Sequence, residues 1–68
     1  MYDFGCVLKK LRRERGLTQK QLGSRLNLSE ATISKYESNT AAPSFETMRA
    51  IAAVLDVSLD LLYGNESA

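Results

Sequence analysis

The chain contains no histidine, no tryptophan, one cysteine and one proline among its 68 residues. A single cysteine excludes an intrachain disulfide, and without histidine we predict no Cys/His metal site. Cys6 lies in an apolar run with Val7 and Leu8, so we expect a small, reduced core or rim residue rather than an activated thiol. This composition favours a reducing compartment.

Groups that could support catalysis are equally scarce. The sequence has no Gly-rich phosphate loop and no carboxylates clustered on one helix face, so acid–base or metal catalysis has no candidate residues. No apolar run approaches the roughly 20 residues of a membrane span, and the N-terminus lacks the basic and apolar regions of a signal peptide. We therefore expect a cytoplasmic, non-enzymatic protein without a cofactor, a small-molecule ligand or a membrane partner.

Positive charge is concentrated in the first half of the chain. Residues 1–29 hold seven Lys or Arg against two Asp or Glu, whereas residues 30–68 hold two against six. The net charges of the two halves are therefore +5 and −4. A basic half suggests a polyanionic partner such as nucleic acid, although charged helix faces are more often simply solvated.

Apolar residues recur at helical spacing throughout, and no stretch alternates for long at the strand period. Residues that commonly cap helices precede five such segments, namely Asp3, Thr18, Ser29, Ser44 and Ser58. Gly16, Asn27 and Gly64 follow segments as helix terminators do. The sequence therefore predicts one all-α domain over residues 1–68, a compact five-helix bundle with its core at about 4–64.

A tight corner is predicted between the second and third helices. Gly23 is the small residue that close helix crossing needs, and Asn27 tolerates the left-handed conformation of a sharp turn. Leu22, Leu26, Leu28, Ile33 and Tyr36 supply a shared apolar core. This pattern is typical of a helix-turn-helix, in which the second helix of the pair is offered to the DNA major groove.

The segments GLTQKQLGSRLNLSEATISKYE and PSFETMRAIAAVLDVSLDLL resemble the phage-repressor (lambda-repressor-like, or XRE) helix-turn-helix family, and the resemblance extends from about Leu8 to Gly64. Small departures are Gly23 where the family usually has Ala, and Asn27, Asn39 and Asp56 where it often has Gly. The resemblance implies a lambda-repressor-like DNA-binding domain whose helix-turn-helix comprises helices 2 and 3. It implies a sequence-specific transcription regulator, in the first place a repressor, that binds double-stranded DNA.

The resemblance assigns base contacts to the third helix, here called the recognition helix, at Ser29, Glu30, Ala31, Thr32, Ser34 and Lys35. Side-chain chemistry matches Lys35 to guanine, Ala31 to a thymine methyl group and Glu30 to a cytosine amine. Two alternatives stay open: Lys35 contacts phosphate instead, and Glu30 simply favours the positive end of the helix.

Neutral donors at helix starts and in one loop are the candidates for contacts to DNA phosphates: Thr18, Gln19, Ser38, Asn39, Thr40 and Ser44. The resemblance gives the position of Gln19 a phosphate contact, and a plain helix cap is the alternative. It also implies a structural ion pair between Arg12 and Glu37, fastening the first helix to the recognition helix.

The resemblance further implies a homodimer on a palindromic operator. With Leu59, Leu62 and Tyr63 turned inward, Leu61 is expected to point outward and is the candidate for the dimer interface, although one exposed Leu is ordinary. The alternative function is a protein-interaction module with a protein partner, such as the DNA-binding antitoxin of a toxin pair.

Overall fold

The computed structural model describes residues 2–64, which contain five helices in the order α1 (Phe4–Glu14), α2 (Gln19–Leu26), α3 (Glu30–Glu37), α4 (Phe45–Leu55) and α5 (Leu59–Tyr63). No strand occurs in this part of the chain, and the predicted all-α, five-helix fold is confirmed. Among these helices none has the length and apolar character required to cross a lipid bilayer.

Every helix begins after the capping residue that the sequence predicts. In each case the side-chain oxygen accepts a hydrogen bond from the backbone N–H three residues later, at Asp3, Thr18, Ser29, Ser44 and Ser58. At α2 the Gln21 side chain accepts a hydrogen bond from the Thr18 N–H in return, which completes a capping box. Because each cap is worth about 1 kcal/mol, these short-range bonds determine where the short helices start.

All five helices are followed by a residue in the left-handed conformation: Gly16 (φ 70°), Asn27 (φ 58°), Asn39 (φ 62°), Asp56 (φ 56°) and, after α5, Gly64 (φ 74°). At the ends of α1 to α4 the following N–H bonds back to a carbonyl five residues earlier, in the pairs Leu17–Arg12, Leu28–Gly23, Thr40–Lys35 and Val57–Ala52. These bonds satisfy carbonyls that a helix end would otherwise leave without a partner. The chain therefore reverses direction sharply at each of these corners.

The core lies where the five helices meet. It comprises ten buried apolar residues, namely Leu8, Leu11, Leu22, Ile33, Tyr36, Met48, Ile51, Ala52, Leu55 and Leu62. The recognition helix α3 packs on α1 and α2, α4 packs on α2 and α5, and α5 packs on α1. Consequently α3 is held by the two helices that precede it, and one of its faces remains available to a partner.

Two details of the fold differ from the sequence prediction. Cys6 is exposed on α1 rather than part of the core, and Tyr63 is 41% exposed rather than turned inward. Helical periodicity places each residue on a face only approximately, and in α5 a single turn leaves room for just one fully buried side chain, Leu62.

Arg15 has a structural role that the sequence did not indicate. Its Nε donates to the Leu55 carbonyl oxygen (2.7 Å) and its Nη2 donates to the Asp56 carbonyl oxygen (3.3 Å). A guanidinium group at the C-terminal end of α4 satisfies terminal carbonyls and interacts favourably with the helix dipole. The end of α1 is thereby joined to the end of α4.

Gly5 marks the closest approach between α1 and α3. A Cβ atom at this position would overlap the carbonyl oxygen of Glu37 and lie 2.9 Å from that of Tyr36. Because the obstacle is backbone, a side chain here would have to separate the two helices.

Gly5→Ala is therefore expected to lower the free energy of unfolding by about 1–3 kcal/mol, the usual effect of overpacking, despite the better helix propensity of Ala. Chemical denaturation measures the change. Cys6→Ala, at the exposed neighbouring position, is the control and should leave stability nearly unchanged. An unfolding free energy of Gly5→Ala equal to the wild-type value would contradict the close packing described.

Candidate nucleic-acid interface

The corner between α2 and α3 sets the angle at which the recognition helix is presented. Asn27 turns the chain with a φ of 58°, and the Leu28 N–H bonds to the Gly23 carbonyl oxygen at 2.8 Å. A Cβ atom at Gly23 would lie only 2.6 Å from the Leu28 carbonyl oxygen, so the turn folds directly onto the helix that precedes it. The close approach predicted for Gly23 is confirmed.

The recognition helix has one buried face and one small, polar, exposed face. Ile33 and Tyr36 are buried against α1 and α2. Ala31, Ser34 and Lys35 are exposed on the other side. None of these three side chains makes a hydrogen bond within residues 2–64.

The other three candidates lie at the start of α3, where their surroundings differ. The Ser29 Oγ accepts a hydrogen bond from the Thr32 N–H (3.1 Å) and lies 2.9 Å from the Thr32 Oγ1. Each hydroxyl is therefore already part of the helix cap, with limited capacity for a further partner. Glu30 is exposed in the first turn of α3, where the helix dipole favours a carboxylate.

Two helix N-termini lie outside the recognition helix and carry candidate phosphate ligands. Thr18 and Ser44 each use a hydroxyl to cap their own helices, α2 and α4. Beyond them, the backbone N–H groups of Gln19, Lys20, Phe45 and Glu46 have no acceptor within residues 2–64. Such N–H groups, reinforced by the helix dipole, are suited to anions.

Gln19 is tied to the recognition helix by its side chain. Its Nε2 donates to the Glu37 Oε1 at 3.0 Å. This bond fixes the orientation of the amide, because the amide oxygen would be repelled by the carboxylate. One amide hydrogen then remains for another acceptor.

Arg12 and Glu37 form a buried, bidentate ion pair. The Arg12 Nε–Glu37 Oε2 distance is 2.6 Å and the Arg12 Nη2–Glu37 Oε1 distance is 3.1 Å. The side chains are 9% and 5% exposed, and Arg12 Nη1 also donates to the Leu17 carbonyl oxygen at 2.7 Å. Such a pair tolerates burial only when its polar atoms have hydrogen-bond partners, and each buried nitrogen and oxygen of these two side chains has at least one.

The loop after α3 holds the last three phosphate candidates, and its side chains interact with one another. The Ser38 Oγ donates to the Lys35 carbonyl oxygen (3.2 Å) and lies 2.7 Å from the Thr40 Oγ1. Asn39 is directed elsewhere, since both atoms of its amide bond to the start of α1. The Ser38 and Thr40 hydroxyls are exposed, whereas the Asn39 side chain is engaged in the protein.

The candidate dimer residue Leu61 is half-buried, not fully exposed as expected, and packs against the edge of the core. The large apolar side chains that are exposed are Tyr2, Phe45 and Tyr63. No three His, Cys, Asp or Glu side chains within residues 2–64 come together in a way that could hold a metal ion.

Comparison with known proteins gives this arrangement a context. A family model described as helix-turn-helix matches residues 8–62. The immunity repressor protein of Bacillus phage phi105 is 35% identical over 63 residues, which cover 93% of this chain and 44% of the repressor. The chain spans about half or less of the length of the curated relatives it matches.

Solved structures show the same fold. The P22 c2 repressor protein, crystallised with a synthetic operator, superimposes with a TM-score of 0.89 at 24% identity and covers 97% of this chain and 100% of its own. SinR, a master regulator for biofilm formation crystallised with DNA, has a TM-score of 0.82 at 30% identity. The superposition covers 88% of this chain and 97% of the SinR chain.

The buried ion pair generates a stability prediction. Glu37→Gln leaves the Arg12 guanidinium buried without its counter-charge, so we expect the free energy of unfolding to fall by about 3–5 kcal/mol. Thermal and urea denaturation measure this, with Glu14→Gln on the exposed side of α1 as the control. Unchanged thermal stability together with an altered DNA affinity would instead make Glu37 a direct DNA contact.

Proposed function

The chain belongs to the phage-repressor-like (lambda-repressor-like, or XRE) helix-turn-helix family, and we propose that it regulates transcription by binding double-stranded DNA in a sequence-specific manner. The observation that carries the proposal is the small, polar, exposed face of α3, formed by Ala31, Ser34 and Lys35. The DNA complex of SinR, a relative in fold at 30% identity, supports the choice of ligand.

The recognition helix would enter the major groove. That groove is about 12 Å wide, and a helix with its side chains has a diameter of about 10–12 Å, so only a face of short side chains allows close approach to the bases. Ala31 and Ser34 meet this requirement. Lys35 is the one long donor on the face and is assigned to guanine O6 and N7, with Ala31 assigned to a thymine methyl group.

The residues at the start of α3 would complete the base contacts. Glu30 is assigned to a cytosine amine, and the hydroxyls of Ser29 and Thr32 to the adjoining base edges, within the capacity that the helix cap leaves them. These assignments follow from side-chain chemistry and position on α3.

Two helix N-termini would hold the DNA backbone. At α2, the Gln19 and Lys20 N–H groups and the second hydrogen of the Gln19 amide have no acceptor within residues 2–64 and would be available to phosphate. Lys9 and Arg13 line one shallow cavity together with Gln19 and Glu30, so two positive charges and one negative charge lie beside these donors. At α4, the Phe45 and Glu46 N–H groups act beside Thr40 and Ser44 of the loop. Most of these donors are neutral, which predicts a modest dependence of affinity on salt.

Dimeric binding would place two recognition helices about 34 Å apart on a palindromic operator. By occupying such an operator the protein would act as a repressor, the role stated for the phi105 relative. We assign the dimer contact to the α5 end of the domain, where Leu61 retains part of its apolar surface.

Lys35→Ala should relax sequence preference at one base pair and weaken the preferred duplex by about 1–3 kcal/mol. Selection of duplexes from a random pool, followed by fluorescence anisotropy on the selected sequence and its single-base variants, measures both effects. Lys10→Ala, which removes the same charge from the exposed face of α1, is the control and should preserve base preference. An even loss of affinity across all sequences with Lys35→Ala would assign Lys35 to phosphate.

Leu61→Glu should convert the dimer into a monomer, because an apolar contact would be replaced by two like charges related by symmetry. Sedimentation velocity with and without the operator duplex gives the stoichiometry. Since Leu61 also touches the core, a melting curve must accompany the measurement, and Asp60→Asn on the exposed neighbour is the control. A folded Leu61→Glu protein that remains dimeric would show that Leu61 does not form the dimer contact.

A further inference from the structure

The start of α1 and the end of α3 meet without any intervening side chain. Gly5 lies directly against the Glu37 carbonyl oxygen, and the Gly5 N–H donates to the Asn39 Oδ1 at 3.0 Å. The residues that follow α3 are therefore in contact with residues more than 30 positions earlier in the chain. This contact fixes the loop after the recognition helix to the N-terminus of the domain.

Asn39 contributes both ends of its amide to this contact. While the oxygen accepts from Gly5, the Nδ2 donates to the Asp3 Oδ1 at 2.7 Å. The same Asp3 oxygen accepts the Cys6 N–H at 3.0 Å and thereby caps α1. One carboxylate oxygen thus connects the first turn of α1 to the loop, and we call the Asp3–Asn39 pair the clasp.

The conformation of Asn39 determines where the neighbouring hydroxyls lie. Its φ of 62° allows the Thr40 N–H to bond to the Lys35 carbonyl oxygen at 2.9 Å. Thr40 and Ser38 are in turn linked through their hydroxyls. Movement of Asn39 would therefore move both hydroxyls that we assign to the DNA backbone.

Tyr2, the residue before Asp3, is anchored to α5. The Tyr2 hydroxyl donates to the Leu61 carbonyl oxygen at 3.2 Å and to that of Leu62, at the end of α5. Burial, followed by the charge of Asp3, raises the pKa of Tyr2, so the phenol stays protonated and remains a donor. Residues 2 and 3 are consequently anchored to the fold before they reach Asn39.

We propose that the clasp positions the loop of residues 38–44 for contact with the DNA backbone, and that Asn39 is a positioning residue that does not itself bind phosphate. The inference rests on the proposed DNA-binding function. A glycine at position 39 would adopt the left-handed conformation more easily, so the asparagine side chain adds only the two bonds that fix the location of the loop. Asp3 is an anion, which phosphates repel, so we do not assign it a direct contact with the DNA backbone.

Protonation of Asp3 releases the charged half of the clasp. The Asn39 amide, followed by the Cys6 N–H, lowers the pKa of Asp3 below its ordinary value of 3.8. A lowered pKa in the folded state means that the stabilisation is present above about pH 4 and is lost as the pH falls through the folded-state value. The clasp is therefore closed under the neutral conditions in which DNA binding is measured.

The test compares variants that separate the clasp from helix capping and from charge. Asp3→Asn and Asp3→Ser both remove the charge and both keep an N-cap residue, but only Asn retains an amide oxygen at the position that reaches Asn39. Asn39→Gly removes the clasp from the other side without straining the backbone. Duplex affinity is measured for each, at a temperature well below the melting point of the least stable variant.

We expect Asp3→Ser to bind the selected duplex about two- to tenfold more weakly than Asp3→Asn, as the loss of one hydrogen bond implies. Asn39→Gly, which loses both bonds of its amide, should lose at least as large a factor relative to wild type. Base preference should be unchanged. In the Asn39→Gly background the difference between Asn and Ser at position 3 should disappear, because the two residues act as one unit.

A loss of affinity for Asn39→Gly without any difference between the two Asp3 variants would make Asn39 a direct contact and overturn the proposal. Equal affinities with lowered melting temperatures would also overturn it, leaving a purely structural role.

A second readout needs no DNA. Hydrogen exchange at the Thr40 and Ala41 N–H groups should accelerate in Asp3→Ser and Asn39→Gly but not in Asp3→Asn, and unchanged exchange would refute the clasp. If wild type selects no duplex, the proposed function fails, and hydrogen exchange still decides whether the clasp holds the loop.

Discussion

The ion pair between Arg12 and Glu37 is the constraint on which the arrangement of this small domain depends. Because both charged side chains are less than a tenth exposed, their polar atoms need hydrogen-bond partners within the protein. The partners that satisfy them are the Leu17 carbonyl oxygen, in the turn after α1, and the Gln19 amide, at the start of α2. Three segments that border the candidate DNA surface therefore meet at this ion pair: Arg12 and Gln19 donate to the Glu37 carboxylate, and the Leu17 carbonyl oxygen accepts from Arg12. A shift of any of them would leave a buried charged group without a hydrogen-bond partner.

The sharp helix ends complete this framework. Asn27, Asn39 and Asp56 adopt left-handed φ values between 56° and 62°, positions where a glycine would be less strained. At Asn39 the side chain compensates with two bonds to the start of α1, whereas the side chain of Asn27 has no bond within residues 2–64. The clasp and the ion pair thus join α1 to α3 at two separate points, and the recognition helix is fixed at its C-terminal end while its outer face remains free.

The candidate interface consists of surfaces with different physical characters. The exposed face of α3 offers short side chains and one lysine, which suits contacts to base edges, whereas the starts of α2 and α4 offer backbone N–H groups suited to phosphates. Several hydroxyls predicted as ligands are occupied by helix caps or by one another, as at Ser29 and Ser38. The available donors are consequently backbone groups more than side chains, a distinction that residue types alone do not make.

The sequence by itself determined the five helix starts, the helix ends at Gly16 and Asn27, the all-α bundle and the close approach at Gly23. Each of these depends on bonds or contacts within about six residues, which local composition specifies. Tertiary structure alone decided the contact at Gly5, the carbonyls that Arg15 caps, the direction of the Asn39 amide and the exposure of Tyr63. These features join segments 30 or more residues apart, or depend on the packing around them. Local sequence patterns do not specify which distant backbone group a side chain will contact.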